Sequence, residues 1–187
     1  DPLIASIKGG HLTLGGMLRG LSGVSGGSLS LQAPTIQVGG TATFPDTLLL
    51  PAEFFSQGGF GHFTLTGLGS DITPPAGAEA FAPGIVIAQN TVIRPIVERM
   101  QASTANVNGV NTVLLQTLIN PEGYRDAASL TFLAPGIENF VDGLVQVRGH
   151  IQMEAGSRIE TDALGEVVFS GQTVEVLGQI LAPAGHV

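Results

Sequence analysis

The chain has 187 residues, of which 43% are hydrophobic and 12% charged, with a formal net charge of -8 at pH 7. Its apolar residues occur in short alternating pieces, and no run approaches the roughly 18 residues of a membrane-spanning helix. The absence of cysteine excludes disulfides, zinc–thiolate sites and thiol catalysis. With seven lysines and arginines in all, no basic patch is available to bind nucleic acid or anionic lipid. We expect one domain with a substantial core and no insertion into a membrane.

A phrase of alternating apolar residues followed by Ala-Pro recurs along the chain. Long copies span 28–36 and 129–137, and shorter copies span 81–85 and 180–185. The alanines of these four Ala-Pro pairs, which lie 49, 52 and 48 residues apart, are Ala33, Ala82, Ala134 and Ala182. Near-constant spacing is typical of stacked repeats, in which each unit buries its apolar face against its neighbours.

The segment 54–65 is rich in phenylalanine (FFSQGGFGHFTL). We expect it to form a bulky corner that packs on the body of the fold. An exposed aromatic face for a ligand is the alternative.

Metal binding has little support in the sequence. Residues 67–72 (Gly-Leu-Gly-Ser-Asp-Ile) are similar to half of a calcium-binding nonapeptide, but that mechanism needs successive copies and one is present. We interpret this segment as a structural turn. The histidines are far apart, without the short spacing of a metal site: His11, His62, His150 and His186. We expect no metal and no cofactor.

Residues 91–126 interrupt the repeat, and we predict a decorating insertion there, either a helix or a hairpin packed on the side. One apolar set has helical spacing: Ile93, Ile96, Val97 and Met100. After a polar loop at 101–111, a second set could continue helically and end before Pro121: Val110, Val113, Leu114 and Leu118.

The densest charged stretch is the best candidate for catalysis. It comprises Glu154, Arg158, Glu160, Asp162 and Glu166. Glycosidases use two carboxylates that face each other across a bond, and Glu160 and Asp162 share a face if a strand continues there. We favour a solvated outer face, because no other segment supplies a converging carboxylate cluster. There is also no nucleophile elbow and no phosphate-binding glycine loop. We predict no catalytic residues.

The C-terminal third predicts the architecture. Its alternating apolar residues return after 22, 23 and 21 positions, in the pairs Val145/Val167, Ile151/Val174 and Ile159/Ile180. Three short strands per circuit, separated by glycine or polar turns, describe one coil of a parallel β-helix. This pattern places Val174 and Val176 in the interior.

Three segments carry a resemblance to a known family: 165–185 (GEVVFSGQTVEVLGQILAPAG), 27–34 (GSLSLQAP) and 54–60 (FFSQGGF). The first is similar to the repeats of filamentous haemagglutinin-like exoproteins, and the other two to a segment within some large members of that family. The resemblance covers about 26–90 and 127–187. It implies a right-handed parallel β-helix in a Gram-negative exoprotein, exported by an outer-membrane secretion partner and displayed or released as an adhesin. It carries over no catalytic residues.

We therefore predict an all-β chain in which residues 1–187 form a single right-handed parallel β-helix (solenoid) domain, a fragment of a longer exoprotein with an insertion at 91–126. The expected function is a non-catalytic, adhesive rod at the cell surface or outside the cell. Its partner would be an unidentified receptor or glycan on host or neighbouring cells. A carbohydrate-active β-helix enzyme (polysaccharide lyase or glycosidase) and the shaft of a contact-dependent inhibition toxin are the alternatives.

Overall fold

A computed structural model describes residues 11–23, 25–71, 81–138 and 145–187. The chain is all-β: half of it lies in strands, and the described residues contain no α-helix. A short 3₁₀-helix spans Ala52–Ser56. None of the described residues forms a helix long and apolar enough to cross a membrane. The prediction of an all-β fold is confirmed.

Eighteen strands are described. In chain order they are β1 (Gly27–Ala33), β2 (Thr35–Val38), β3 (Thr47–Leu50), β4 (Phe60–Gly67), β5 (Ser70–Asp71), β6 (Phe81–Ala82), β7 (Ile85–Ile87), β8 (Val92–Ile93), β9 (Arg99–Val107), β10 (Val110–Leu118), β11 (Ser129–Ala134), β12 (Ile137–Glu138), β13 (Val145–Val147), β14 (His150–Met153), β15 (Arg158–Glu160), β16 (Glu166–Gly171), β17 (Thr173–Val176) and β18 (Gln179–Leu181).

Most strands belong to three parallel sheets. The first sheet has the order β1-β4-β11-β16, the second β17-β14-β7-β2-β3 and the third β18-β15-β8. The chain visits first, second and third sheet in that order three times, as β4, β7, β8, then β11, β14, β15, then β16, β17, β18. The sheets are separate and their hydrogen bonding does not close them into one solenoid. The finer prediction of a β-helix stays a prediction.

Register in the second sheet aligns aliphatic residues from five strands. The line runs Leu48, Ile36, Ile85, Ile151, Val174. The predicted pairing of Ile151 with Val174 is therefore confirmed, as is that of Ile159 with Ile180 in the third sheet. The pairing of Val145 with Val167 is wrong. Val145 lies opposite Glu138 in an antiparallel pair, so β11 is the strand that borders β16 and places Leu130 beside Val167.

The prediction that Val174 and Val176 are buried in the interior is also wrong, since Val174 is 41% exposed and Val176 is 43% exposed. Both lie in β17, which is the outermost strand of the second sheet. Their partners Ile151 and Met153 in β14 are fully buried, because β14 has a strand on each side. Position in the sheet accounts for the difference in burial.

Two successive copies of the Ala-Pro repeat lie side by side in a sheet in one case. Ile36 and Ile85, each three residues after its Ala-Pro alanine, are neighbours in the second sheet. The next copy breaks the series, because Ile137 enters the antiparallel pair β12/β13 and Ile85 is bordered by Ile151 instead.

One hydrophobic cluster receives side chains from all three parallel sheets, for example Leu130, Ile151 and Ile159. The phenylalanine segment belongs to it. The 3₁₀-helix carries Phe55 against Phe63, with ring centroids 5.1 Å apart, and both are buried. The predicted packed corner is confirmed, and the alternative of an exposed aromatic ligand face is wrong.

Glycines allow the backbone to pass closely at the corners between sheets. A Cβ on Gly149, immediately before β14, would overlap the carbonyl oxygen of Ala134 at the end of β11. A Cβ on Gly67 would similarly overlap the carbonyl oxygen of Gly84. Any larger residue at these positions forces the strands apart.

Of the two forms predicted for the insertion at 91–126, the structure has the hairpin. Strands β9 and β10 pair over nine residues each, and Asn108 and Gly109 form the turn with φ of 54° and 83°. The helical alternative is wrong, because Ile93 ends β8 and Met100 lies in β9. The hairpin is not packed flat on the side either, since all nine residues of β10 are exposed.

Candidate functional site

The charged stretch of the sequence leads to a cluster of ion pairs at the end of β15. Strand β8 borders β15 and pairs Ile93 with Ile159. Arg94 follows Ile93 and Glu160 follows Ile159, and the Arg94 guanidinium reaches the Glu160 carboxylate. Arg158 contacts the other oxygen of Glu160, with Nη1 2.5 Å from Oε1. Glu160 is therefore held between two arginines.

These contacts set the protonation of Glu160. The hydrogen bond from Arg94 is the main cause that lowers the pKa of Glu160 below its ordinary value, against an opposing effect of desolvation. The positive charges of Arg94 and Arg158 act in the same direction. A general acid in a glycosidase needs a raised pKa to carry a proton near neutrality. Glu160 is thus an ionised partner of arginine.

Asp162 makes a second, more buried ion pair. Arg125 Nε lies 2.5 Å from Asp162 Oδ2 and Nη2 lies 2.6 Å from Oδ1, a two-pronged arrangement. The side chains are 15% and 8% exposed. The hydrogen bond to Asp162 is also the main cause that raises the pKa of Arg125. Sequence reasoning missed Arg125, because it lies 37 residues from its partner and no local pattern marks it.

An open cleft of about 520 Å³ lies over both ion pairs. Its lining includes Pro95, Glu122, Thr161 and Pro183. The hydroxyl oxygen of Thr161 is buried and has no hydrogen-bond partner among the described atoms. The cleft thus gathers Glu160 and Asp162, as the sequence suggested for two carboxylates on one face, but each carboxylate is neutralised by arginine.

The other carboxylates of the charged stretch do not line this cleft. Glu154 accepts a hydrogen bond of 2.7 Å from the backbone N–H of Gln89. Glu166 begins β16, where it pairs with Ser129. Glu154 and Glu166 therefore make contacts of their own, away from the cleft that Glu160 and Asp162 line.

The histidines also have separate surroundings. His62 Nδ1 lies 2.7 Å from Ser129 Oγ. His150 Nε2 is 3.9 Å from Glu175 Oε2, too far for a hydrogen bond. Within the described ranges, no three His, Asp or Glu side chains come close enough to hold a metal ion.

The calcium-like segment forms a turn after β4, as interpreted, and Ile72 lies outside the described residues. Leu68 and Gly69 donate backbone hydrogen bonds to the carbonyls of Ala33 and Pro34, and Gly69 has a φ of 79°. These bonds hold Leu68 and Gly69 in the turn.

The hairpin surface, formed by Arg99–Val107 and Val110–Leu118, is the second candidate. No residue from 100 to 121 is charged. The apolar side chains of β10 are largely in solvent: Val110 is 64% exposed, Val113 64% and Leu115 66%. At the hairpin's base, Arg99 Nη2 lies 2.7 Å from Asp126 Oδ2. A ribbon with exposed apolar residues and no charge beyond Arg99 at its base is typical of an interaction surface.

Comparisons of the chain with protein-family models, with curated proteins and with solved structures find no match. Its function is therefore inferred from the fold, the ion-paired cleft and the hairpin surface.

Proposed function

We propose that this chain is a non-catalytic, structural and adhesive segment of an exoprotein of a Gram-negative bacterium. Its three parallel sheets are the sides of a right-handed parallel β-helix, and the hairpin surface is a site of contact with a partner. The observation that carries the proposal is the aligned aliphatic line from Leu48 to Val174, together with a hairpin whose strand β10 is uncharged and fully exposed.

The repeated order of the sheets supports the β-helix. Each of three circuits contributes one strand to each sheet in the same sequence. The last two circuits are 23 residues apart in the second sheet and 21 apart in the third, as Ile151/Val174 and Ile159/Ile180 illustrate. A single cluster joins the apolar side chains of all three sheets. Right-handedness follows from the strong preference of parallel crossover connections.

The chemistry of the cleft supports a non-catalytic role. A glycosidase of the usual two-carboxylate kind requires one carboxyl group that holds a proton and a second that stays ionised. Arg94 lowers the pKa of Glu160, and Arg125 occupies both oxygens of Asp162. Neither group is arranged to donate a proton to a glycosidic oxygen. The glycosidase alternative is disfavoured on this ground.

The adhesive role is supported by the hairpin surface and by the resemblance to filamentous haemagglutinin-like exoproteins. A stiff body formed by paired parallel strands can present such a ribbon away from its own surface. The partner is a receptor or glycan on a host cell or neighbouring bacterium, and an outer-membrane secretion partner would export the protein. The shaft of a contact-dependent inhibition toxin would use the same stiff body of parallel strands, so the proposed β-helix is common to both roles.

A cell-binding assay tests the proposal. Fluorescently labelled protein is titrated on host epithelial cells and on Gram-negative bacteria, beside a variant in which residues 100–117 are replaced by Asn-Gly. Arg99 and Leu118 are paired opposite each other, so a short turn can join them. We expect the variant to fold with unchanged thermal melting and to lose binding by about tenfold or more, equivalent to about 1.4 kcal/mol.

Glu160→Gln is the matched control, since it alters the cleft and leaves the hairpin intact. It should bind cells as the wild type does. Pectin and glycosaminoglycans are incubated with both proteins in parallel. Release of sugar fragments by the wild type but not by Glu160→Gln would overturn the non-catalytic proposal, and equal cell binding without the hairpin would overturn the adhesive one.

A further inference from the structure

The outer edge of β10 is an unpaired strand edge. Among the described residues β10 pairs with β9 alone, and each of its nine residues is exposed. It contains no proline, no lysine and no other charge, which are the usual devices that protect an edge from pairing. An isolated two-stranded hairpin is also only marginally stable in water. The edge is therefore suited to take another strand.

The turn determines which backbone groups face outward. In a two-residue hairpin, the residues that flank the turn exchange both of their hydrogen bonds, here Val107 and Val110. Alternate residues of β10 from Val110 onward then bond to β9. The N–H and C=O groups of the other four point to the free edge: Asn111, Val113, Leu115 and Thr117.

The side-chain pattern of β10 is symmetric about its central residue. From Val110 to Leu118 it reads Val-Asn-Thr-Val-Leu-Leu-Gln-Thr-Leu, that is apolar, polar, polar, three apolar, polar, polar, apolar. Read backwards, the pattern is the same. Two copies of such a strand, placed antiparallel and centred on Leu114, match apolar with apolar and polar with polar at every position.

We propose that the partner of this edge is β10 of a second copy of the chain, related by a two-fold axis through Leu114. Val113 lies opposite Leu115 of the second copy, and the two exchange hydrogen bonds through their outward groups. Val110 lies opposite Leu118, and Leu114 lies opposite itself. The two hairpins become one four-stranded antiparallel sheet with an isologous interface.

The composition of the edge favours a second copy. The chain carries a net charge of -8, but no charged residue lies between 100 and 121, so the paired strands place no like charges opposite each other. Strand β10 is about 30 Å long at 3.4 Å per residue. A single pair of strands buries less than a standard interface, so the dimer is expected to be weak and dependent on concentration. The purified protein alone should form this dimer, whether or not it has the adhesive role.

Sedimentation velocity over a range from about 10 µM to 1 mM tests the pairing, within the span expected for weak interfaces. Three double variants examine the register: Val113→Lys with Leu115→Lys, Val113→Glu with Leu115→Glu, and Val113→Lys with Leu115→Glu. In the proposed dimer the first two place like charges opposite each other, whereas the third pairs lysine with glutamate across the axis.

We expect the wild type to dimerise, the two like-charge variants to weaken dimerisation by about tenfold or more, and the mixed variant to dimerise nearly as well as the wild type, because opposite charges are then adjacent. The two like-charge variants change the net charge of the chain in opposite directions. If net charge governed dimerisation, one of them would dimerise more strongly than the other, whereas the proposed pairing weakens dimerisation in both. Circular dichroism establishes that each variant is folded.

Cross-linking provides a second readout, since the chain has no cysteine of its own. In the proposed dimer the two Leu114 positions form a pair without hydrogen bonds, with Cα atoms about 4.5 Å apart, which is within disulfide range. Leu114→Cys should oxidise to a covalent dimer, whereas Thr104→Cys, on the far strand β9, should not. A wild type that stays monomeric at 1 mM, a mixed variant as weak as the like-charge variants, or equal cross-linking at 104 and 114 would each overturn the proposal.

Discussion

Ile151 and Val174 lie opposite each other in neighbouring parallel strands, yet Ile151 is fully buried and Val174 is 41% exposed. The two residues have similar chemistry and the same register. They differ because β14 is covered by β7 on one side and β17 on the other, whereas β17 is the last strand of its sheet. Stability should therefore depend on the stacking position of a residue more than on its type.

This relationship predicts unequal effects of the same kind of truncation. Ile151→Ala opens a cavity among fully packed neighbours and should lower the free energy of unfolding by about 2–5 kcal/mol. Val174→Ala is the matched control and should cost less than about 1 kcal/mol, because much of its surface is already in water. Urea unfolding followed by circular dichroism measures both values. Equal losses would contradict the observed order of the second sheet.

The ion pair of Arg125 and Asp162 predicts strong coupling. Arg125→Gln leaves a buried carboxylate without its partner and should lower stability by about 3 kcal/mol. The double variant Arg125→Gln with Asp162→Asn removes the stranded charge and should recover a large part of that loss. A double-mutant cycle from chemical unfolding gives the coupling energy. Additive effects would show that the pair contributes no coupling.

The pKa of Glu160 predicts a dependence on pH. Its hydrogen bond from Arg94 lowers the pKa in the folded state, so the associated stability is complete above the pKa of the unfolded chain and is lost as the pH falls through the folded value. Below about pH 4.5, near the ordinary value for glutamate, the wild type should lose more stability than Glu160→Gln. Melting temperatures between pH 7 and pH 3 measure the difference.

Salt should reduce that difference. Arg94 is 63% exposed, so added salt screens its attraction to Glu160. If the wild type and Glu160→Gln follow the same pH profile at low ionic strength, Arg94 does not hold Glu160 in the way described.

The corner glycine Gly149 predicts a steric effect. In Gly149→Ala the new methyl group meets the carbonyl of Ala134 at the end of β11, and relief of that overlap should cost about 1–3 kcal/mol. Gly16→Ala is the control, because no described atom apart from its own chain neighbours lies within 4 Å of the Cβ position there. Thermal unfolding compares the two variants. A loss for Gly16→Ala as large as that for Gly149→Ala would contradict the close approach.

The strands and part of their register could be predicted from the sequence, because strands follow from local alternation and register follows from regular spacing. Alternation around Ile151 and Ile159, with glycine between short pieces, predicts strands directly. The return of that pattern after 23 and 21 residues then identifies Val174 as the neighbour of Ile151 and Ile180 as the neighbour of Ile159. The Val145 pairing failed because β12 and β13 form their own antiparallel pair, which regular spacing alone cannot reveal.

The helical alternative for the insertion rested on a spacing that has another physical cause. Ile93 and Val97 are both buried, with a four-residue interval that imitates one helical turn. In the structure that interval crosses from the end of β8 toward the start of β9. Asn108-Gly109 was the signal that could have identified the hairpin, since this dipeptide favours the turn with positive φ at both residues.

The ion-paired cleft was only partly predictable. Glu160 and Asp162 are close in sequence, so their shared face could be proposed from spacing. Arg94 and Arg125 come from distant segments and reach the cleft through the pairing of β8 with β15 and through the chain that follows the hairpin. Their effect on the carboxylates depends on tertiary contacts, which no local pattern encodes.

X-ray diffraction from crystals of the chain would show whether the parallel sheets enclose one shared aliphatic interior. We expect one line of residues at intervals of about 4.8 Å, with the first and third sheets facing it across the same core: Leu48, Ile36, Ile85, Ile151 and Val174. Two antiparallel layers packed face to face, or a line broken between Ile85 and Ile151, would contradict it.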